Sequence, residues 1–245
     1  MAEEQLYRKL AKYYDKIYSQ KDYEKEVDFI ISVLEKCGVK GREILDVACG
    51  TGTHAKLLKE RGYSVTGLDK NPEMLKIARR KVKDAKFIKD DMREFDLKER
   101  FDSIICLFTS MNYSTTLEDL ERTLRNFYKH LERGGVVIFD LGLTKLKEFP
   151  IRIDTYTEKG LQIARISQMQ PLSNRTVESK FLIFIKGKEK LDFEIDEHIL
   201  GVFDPAEVRR IMKSIGFDVN VYDNFSFKKY TRKSKRPVFV GIKKK

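Results

Sequence analysis

ILDVACGTGTHA, residues 44–55, decides how the chain is read. A β-branched and apolar run carrying one acid, Asp46, leads into Gly50-Thr51-Gly52-Thr53-His54-Ala55, a G-x-G-x-x-A loop. Glycine at 50 and 52 lets the backbone turn tightly and approach a ligand with no Cβ between them, at a helix N-terminus that offers free N–H groups. The spelling alone serves more than one kind of nucleotide-bearing ligand, so the rest of the chain has to choose.

Downstream, residues 63–69, 85–91, 102–108 and 135–141 read as further strands, and 53–62, 71–82 and 116–135 as helices. Asn71 opens the second of these helices, with Pro72 in its first turn. Upstream, 3–19 and 22–36 show apolar residues at helical spacing, and Cys37-Gly38 stops the second. After residue 141 the rhythm changes. The stretches 160–171, 174–187 and 191–203 alternate apolar and polar positions between turn residues, as an antiparallel meander does. Asp204 then caps a helix over 205–216, and strands follow at 217–223 and 236–244. The predicted fold class is α/β: a Rossmann-like, doubly wound, mostly parallel seven-stranded sheet over residues 1–142 and 204–245, plus a small inserted antiparallel β subdomain over 143–203.

The 245 residues are 41% hydrophobic, enough for a packed interior. Charged side chains reach 36% against about 25% in average proteins, and Trp is absent. We read that excess as a thermophilic, ion-paired surface; a melting midpoint within the mesophile range of about 45–65 °C would overturn it. Cys37, Cys49 and Cys106 stand far apart with no histidine at ligand spacing, so neither a metal site nor a disulfide framework is expected, and a reducing cytoplasm fits best. A charged N-terminus predicts no secretory signal, and no apolar run approaches the ~20 residues of a membrane span. The formal charge of +11 is local. The last 21 residues hold nine Lys/Arg and no acid, leaving 40 basic and 38 acidic side chains before them. That tail is either a solvated surface or an RNA grip.

Two acids argue about the ligand. Asp46 ends the first strand four residues before Gly50, which suits a ligand bearing an amine and a sulfonium better than one bearing two phosphates. Asp69 ends the second strand 17 residues after Gly52, where a carboxylate can take ribose hydroxyls of either ligand. The third strand ends in Asp90-Asp91, where a carboxylate can accept an adenine amino group and the Met92 N–H can reach a ring nitrogen.

In that order and spacing, DVACGTGTHA, GLDKNPEML, FIKDDMREF and LERGGVVIFD resemble the successive motifs of class I S-adenosylmethionine-dependent methyltransferases, in the small-molecule, glycine-N-methyltransferase-like branch. The resemblance covers residues 40–142 and extends to the last helix and strand pair, because the family adds an antiparallel last strand. It implies S-adenosylmethionine as cofactor and S-adenosylhomocysteine as product. Asp46 then lies near the methionine amine through water, with the backbone of Ala48 and Cys49 at that end. Gly50 and Gly52 supply clearance, Asp69 holds the ribose, Lys70 and Met74 border the adenine, Asp91 and Met92 read its edge, and Leu107 lines the methionine side. Ala48 and Asp90 stand where the family more often has glycine; the motif register assigns the adenine to Asp91.

Methyl transfer is an in-line displacement on an activated donor, so positioning and exclusion of water supply most of the acceleration. A base is needed only if the acceptor arrives protonated. Ser110, Asn112 and Tyr113 follow the fourth strand; for Asn112 and Tyr113 the readings are substrate contact, or loop capping and core filling. Alternation over 191–200 puts Leu191, Phe193, Ile195, Glu197 and Ile199 on one face and Asp192, Glu194, Asp196, His198 and Leu200 on the other. Glu197, an acid on an apolar face, is nominated as catalytic or as a buried partner of Arg165 or Arg175, and Glu197→Gln is expected to lower turnover. His198 is a weaker candidate, since a lone histidine on a polar face is usually surface. Tyr14 and Tyr18 either lid the donor or pack. The expected activity is methyl transfer to a small-molecule N or O nucleophile under the β layer, by a monomer or homodimer without membrane contact. RNA methylation through the basic tail, a non-catalytic donor-binding protein and, remotely, NAD chemistry are the alternatives.

Overall fold

The computed structural model describes residues 4–188, 190–231 and 233–244; Glu3, Arg232 and Lys245, drawn above into the first helix and the basic tail, lie outside them. Strands β1 (Glu43–Val47), β2 (Ser64–Asp69), β3 (Lys86–Lys89), β4 (Phe101–Cys106), β5 (Leu131–Asp140), β10 (Phe217–Asp223) and β11 (Pro237–Lys243) form one sheet in the order β10-β11-β5-β4-β1-β2-β3. Pairs among β1 to β5 are parallel, and β11 runs antiparallel to both its neighbours. Strand order reverses between β1 and β4, which opens the ligand crevice at their C-terminal ends.

Helices α2 (Tyr23–Lys36), α3 (Thr53–Glu60) and α4 (Pro72–Lys81) cover one face through Val27, Ile30, Leu58 and Leu75. Helices α5 (Leu117–His130) and α6 (Pro205–Ile215) cover the other through Leu120, Leu124, Phe127, Val208 and Met212. Asp204 caps α6 as expected, accepting from the amides of Ala206 and Glu207, whereas Asn71 holds the N-cap position of α4 without a side-chain capping hydrogen bond. Helix α5 stops five residues before its expected end. Leu131 already pairs with Phe101, and Gly135 packs so closely that a Cβ would lie 2.9 Å from the Glu132 carbonyl.

Between β5 and α6 lies a second sheet, β6 (Arg152–Glu158), β7 (Leu161–Pro171), β8 (Thr176–Lys186) and β9 (Leu191–Gly201), an antiparallel meander in sequence order. It has four strands where the pattern showed three, since β6 is a polar edge strand with no alternation to betray it. Register puts Val177, Ser179, Ile183, Asp196, His198 and Leu200 on the buried face. Leu191, Phe193, Ile195 and Ile199 face outward with Ile153 of β6, all more than half exposed.

The N-terminal segment is not the expected helix. It forms short 3₁₀ turns at Gln5–Tyr7 and Ala11–Tyr13, then the single turn α1 (Tyr14–Ile17). Leu6 and Leu10 pack on Ile163, Ile183 and Ile185 of the second sheet. Two such leucines contribute about 1.5–3 kcal/mol each, more than a marginal isolated helix offers. Tertiary contact therefore sets the backbone here, laying the segment across the crevice.

Candidate functional site

The glycine loop leaves β1 in three left-handed residues: Ala48 (φ 56°), Gly50 (φ 55°) and Gly52 (φ 76°). Ala48 occupies a conformation costing an L-residue about 1–2 kcal/mol, which explains why glycine is commoner there. Asp69 at the end of β2 ties the loop down, accepting from the Gly50 amide at 2.9 Å and the Asn71 amide at 2.8 Å. Burial pushes the Asp69 carboxyl up and these amides pull it down. Gly52 caps α3 from behind, where an added Cβ would lie 3.1 Å from Ala78, so its role is close packing.

Ala48, Gly50, Asp69, Lys70 and Met74 line a cleft together with Asp91, Met92, Tyr14 and Tyr113. Asp46, Cys49 and Leu107 line a recess adjoining it at Ala48, Gly50 and Tyr14. Asp46 is 2% exposed, and its Oδ2 has no hydrogen-bond partner among the described residues. Burial, helped by the charge of Asp69, pushes its pKa up to about 8. Arg93 forks onto Asp91, with Nε at 2.8 Å and Nη2 at 2.7 Å, and holds that carboxyl below its usual range. Lys70 bridges to Glu4 of the N-terminal segment at 3.0 Å and lies 5.4 Å from the Tyr113 ring centre.

A second cavity of about 360 Å³ shares Tyr7, Tyr14, Phe108 and Tyr113 with the cleft. Phe108 is placed by strain: it and Thr109 have φ of 61° and 70°, and buried Asp140 holds the turn by accepting the Thr109 amide at 3.2 Å. Burial raises the Asp140 pKa to about 6, against the pull of Arg236 at 3.6 Å. Tyr18 and Phe181 form further walls, and Arg165 donates to Tyr18 Oη at 2.7 Å and pairs with Asp154. A hydrogen-bonded chain runs along one wall. Tyr7 Oη lies 2.6 Å from Tyr113 Oη, which lies 2.9 Å from His198 Nδ1, and His198 Nε2 lies 2.8 Å from Asp196 Oδ2. Asp196 also accepts the amides of Gln5 and Leu6 at 2.7 and 3.0 Å.

Three nominated residues line none of these spaces: Gly52, packed on Ala78 as above, Glu197 and Asn112. Glu197 points to the outward face of β9, opposite the cavity, with its carboxylate 3.5 Å from Lys180 Nζ; neither Arg165 nor Arg175 is its partner. Both faces of β8 and β9 carry apolar residues, so alternation alone picked the wrong face as buried. Glu197→Gln is now expected to leave turnover within about twofold, as for a surface ion pair; a tenfold loss in steady-state kinetics would reinstate it. Asn112 is fully buried but lines neither cavity. Its Nδ2 donates to the carbonyls of Leu143 and Gly201, and its Oδ1 accepts from the Gly142 amide, clamping the loop after β5 to the end of β9. Sequence reasoning missed Tyr7, Phe108, Arg93 and Asp196 and ranked His198 below Glu197. The signal available for His198 was parity on the neighbouring strand, where Val177, Phe181, Ile183 and Ile185 form the stronger apolar face.

A methyltransferase-domain family model matches residues 44–135. The chain is 30% identical, over 95% of its own length and 97% of the other's, to dTDP-3-amino-3,4,6-trideoxy-α-D-glucopyranose N,N-dimethyltransferase of Streptomyces venezuelae. It is 34% identical to dTDP-3-amino-3,6-dideoxy-α-D-glucopyranose N,N-dimethyltransferase of Streptomyces fradiae, over 86% and 84% of the two chains. A solved S-adenosylmethionine-dependent methyltransferase from Clostridium acetobutylicum superposes with a TM-score of 0.84 at 25% identity, over 98% and 99% of the chains. The cleft fits that cofactor on its own evidence: the unpartnered buried oxygen of Asp46 suits an ammonium, and Gly50 lines the cleft where an added Cβ would lie 3.4 Å from Met74 Cε and narrow it. Motifs, fold, cleft and relatives agree, and the chain belongs to the class I S-adenosylmethionine-dependent methyltransferases.

Proposed function

We propose that the protein N-methylates a small amine, an amino sugar carried on a nucleotide, held in the 360 Å³ cavity beside the donor cleft. The observation that carries this reading is the shared wall. Tyr7, Tyr14, Phe108 and Tyr113 border both spaces, so an acceptor under the second sheet lies next to the donor. Bound S-adenosylmethionine supplies a methyl carbon activated by its sulfonium. Asp46, Asp69, Asp91 and Met92 are the residues assigned to hold it. Tyr14, Tyr18 and Phe108, with ring centres 4.8 and 4.9 Å apart in sequence, form an aromatic wall that excludes water and favours a methylated ammonium by cation–π attraction. Lys147, Arg152 and Arg236 rim the cavity and suit a diphosphate. The relatives named above act, by name, on dTDP-linked amino sugars.

The test uses methyl-labelled donor with dTDP-3-amino-3,6-dideoxy-α-D-glucopyranose and, separately, with total RNA. Label in the sugar nucleotide, with one and then two methyl mass increments, is the expected result. Label in RNA alone would overturn the reading and turn attention to the basic groove of Lys229, Lys233 and Lys235.

Buried, unpaired Cys49 and Cys106 and exposed ion-pair networks such as Arg61 with Glu24 and Asp28 support a cytoplasmic, heat-adapted enzyme. No helix among the described residues is long and apolar enough to cross a membrane. The outward face of the second sheet supports a homodimer. Four strands of up to 11 residues offer roughly 600 Å² per chain, enough for a small specific interface, and Lys180 beside Glu178 and Glu197 makes its charges self-complementary. Ile195→Lys should yield monomers in sedimentation; a wild type that already sediments as a monomer ends this proposal.

A further inference from the structure

An amine acceptor is an ammonium near neutral pH and has no lone pair until it loses a proton. The cavity holds few groups able to take one. Asp154 is paired with Arg165, and Asp140 is held by the Thr109 amide and Arg236. Burial raises the phenols of Tyr7 and Tyr113 well above their ordinary range, so they can pass a proton but do not keep a vacancy for one. His198 remains, 2% exposed, in the cavity wall.

Its hydrogen bonds have a direction. Asp196 already accepts two backbone amides, so as a carboxylate it takes the Nε2–H of His198 as a third donor. That leaves Nδ1 bare. Tyr113 O–H then donates to Nδ1, Tyr7 O–H donates to Tyr113 Oη, and the free lone pair of Tyr7 lies in the wall common to both cavities. The same N-terminal segment supplies Tyr7 and the amides that fix Asp196, so the chain is complete only when that segment is docked.

We propose that Tyr7, Tyr113, His198 and Asp196 form a proton path that deprotonates the acceptor ammonium, resting on the amine reading above. The ammonium N–H proton moves to Tyr7 Oη as the Tyr7 proton moves to Tyr113 Oη and the Tyr113 proton to His198 Nδ1. The N–H bond breaks, its electron pair stays on nitrogen, and the charge ends on an imidazolium beside the Asp196 carboxylate. Between turnovers the imidazolium returns its proton along the same hydrogen bonds to water in the emptied cavity. Tyr7 is the catalytic residue, and Tyr113, His198 and Asp196 act through it. The groups facing His198 are Asp196 on its own strand, Tyr113 after β4, Tyr7 from the N-terminal segment, and Phe181 and Ser179 on β8. The next charges are the Lys70–Glu4 pair beyond Tyr113 and Arg165 beyond Phe181.

The experiment follows kcat from pH 6 to 10 with dTDP-3-amino-3,6-dideoxy-α-D-glucopyranose as probe. It compares wild type with His198→Gln, whose amide keeps both hydrogen bonds but cannot take a proton, and with Tyr113→Phe. Each variant should lose about 100-fold in kcat at pH 7, keep its S-adenosylhomocysteine affinity within about twofold, and recover as pH approaches the amine's own titration. A loss equal at every pH, or full activity of Tyr113→Phe at pH 7, overturns the path. Nitrogen-15 spectra of the imidazole supply a readout without turnover: neutral His198 should be the Nε2–H tautomer, and an Nδ1–H tautomer overturns it too. If wild type leaves the amino sugar unmethylated, the acceptor reading fails, and the tautomer still decides the proton path.

Discussion

Asp69→Ala is expected to weaken S-adenosylmethionine binding about 100-fold, read by titration calorimetry. The carboxylate does two jobs at once. It borders the cleft at the position assigned to the ribose, and it accepts the Gly50 and Asn71 amides that shape the glycine loop and the entry to α4. Removing it leaves two amides unpaired, at about 1–3 kcal/mol each. The fold recovers part of that, because burial disfavours the Asp69 charge and that charge in turn raises Asp46. Affinity should therefore fall much further than the melting midpoint. Asp69→Asn keeps an acceptor for one amide and should lie between. Donor affinity within about threefold of wild type in Asp69→Ala would remove Asp69 from the binding site.

Asp46→Asn should separate stability from binding with opposite signs. Unfolded, this carboxyl titrates near 3.8; folded, its pKa is about 8. Between those values the native state holds a proton that the unfolded chain has lost, so stability declines as pH rises. The contribution is fully present below pH 3.8 and has gone by pH 8, a loss on the order of 5 kcal/mol. An amide does not titrate. Donor-free Asp46→Asn should melt at least about 5 °C above wild type at pH 8 and no higher at pH 4. Its donor affinity should drop about tenfold or more, since the ammonium loses its charged partner. Scanning calorimetry at the two pH values decides it: equal midpoints at pH 8 would mean that Asp46 is satisfied in the native state.

How much of this was legible depends on how local the signal is. The acids Asp46, Asp69 and Asp91 were readable because each lies in a short local motif: the first two join a strand to its own helix within about a dozen residues, and Asp91 stands two residues after β3. The antiparallel last strand came with the family resemblance. The boundary between α5 and β5 was not readable, because a helical pattern runs into glycines that the sheet uses.

The second sheet shows the deeper limit. Its strands β7 to β9 were visible as alternation, and the choice of buried face was not, since Leu182 and Phe184 on one parity compete with Phe181, Ile183 and Ile185 on the other. One reversal moved Glu197 out of the site and His198 into it. The N-terminal segment followed the same logic, as helical spacing yielded to burial of Leu6 and Leu10 against β7 and β8. The doubly wound sheet, the glycine loop and the acids beside it could be read from the chain alone, because short-range periodicity and turn chemistry specify them. The meeting of Tyr7, Tyr113 and His198 beside the second cavity emerged from tertiary packing alone: hydrogen bonds between segments up to about 190 residues apart leave no periodic trace in the chain.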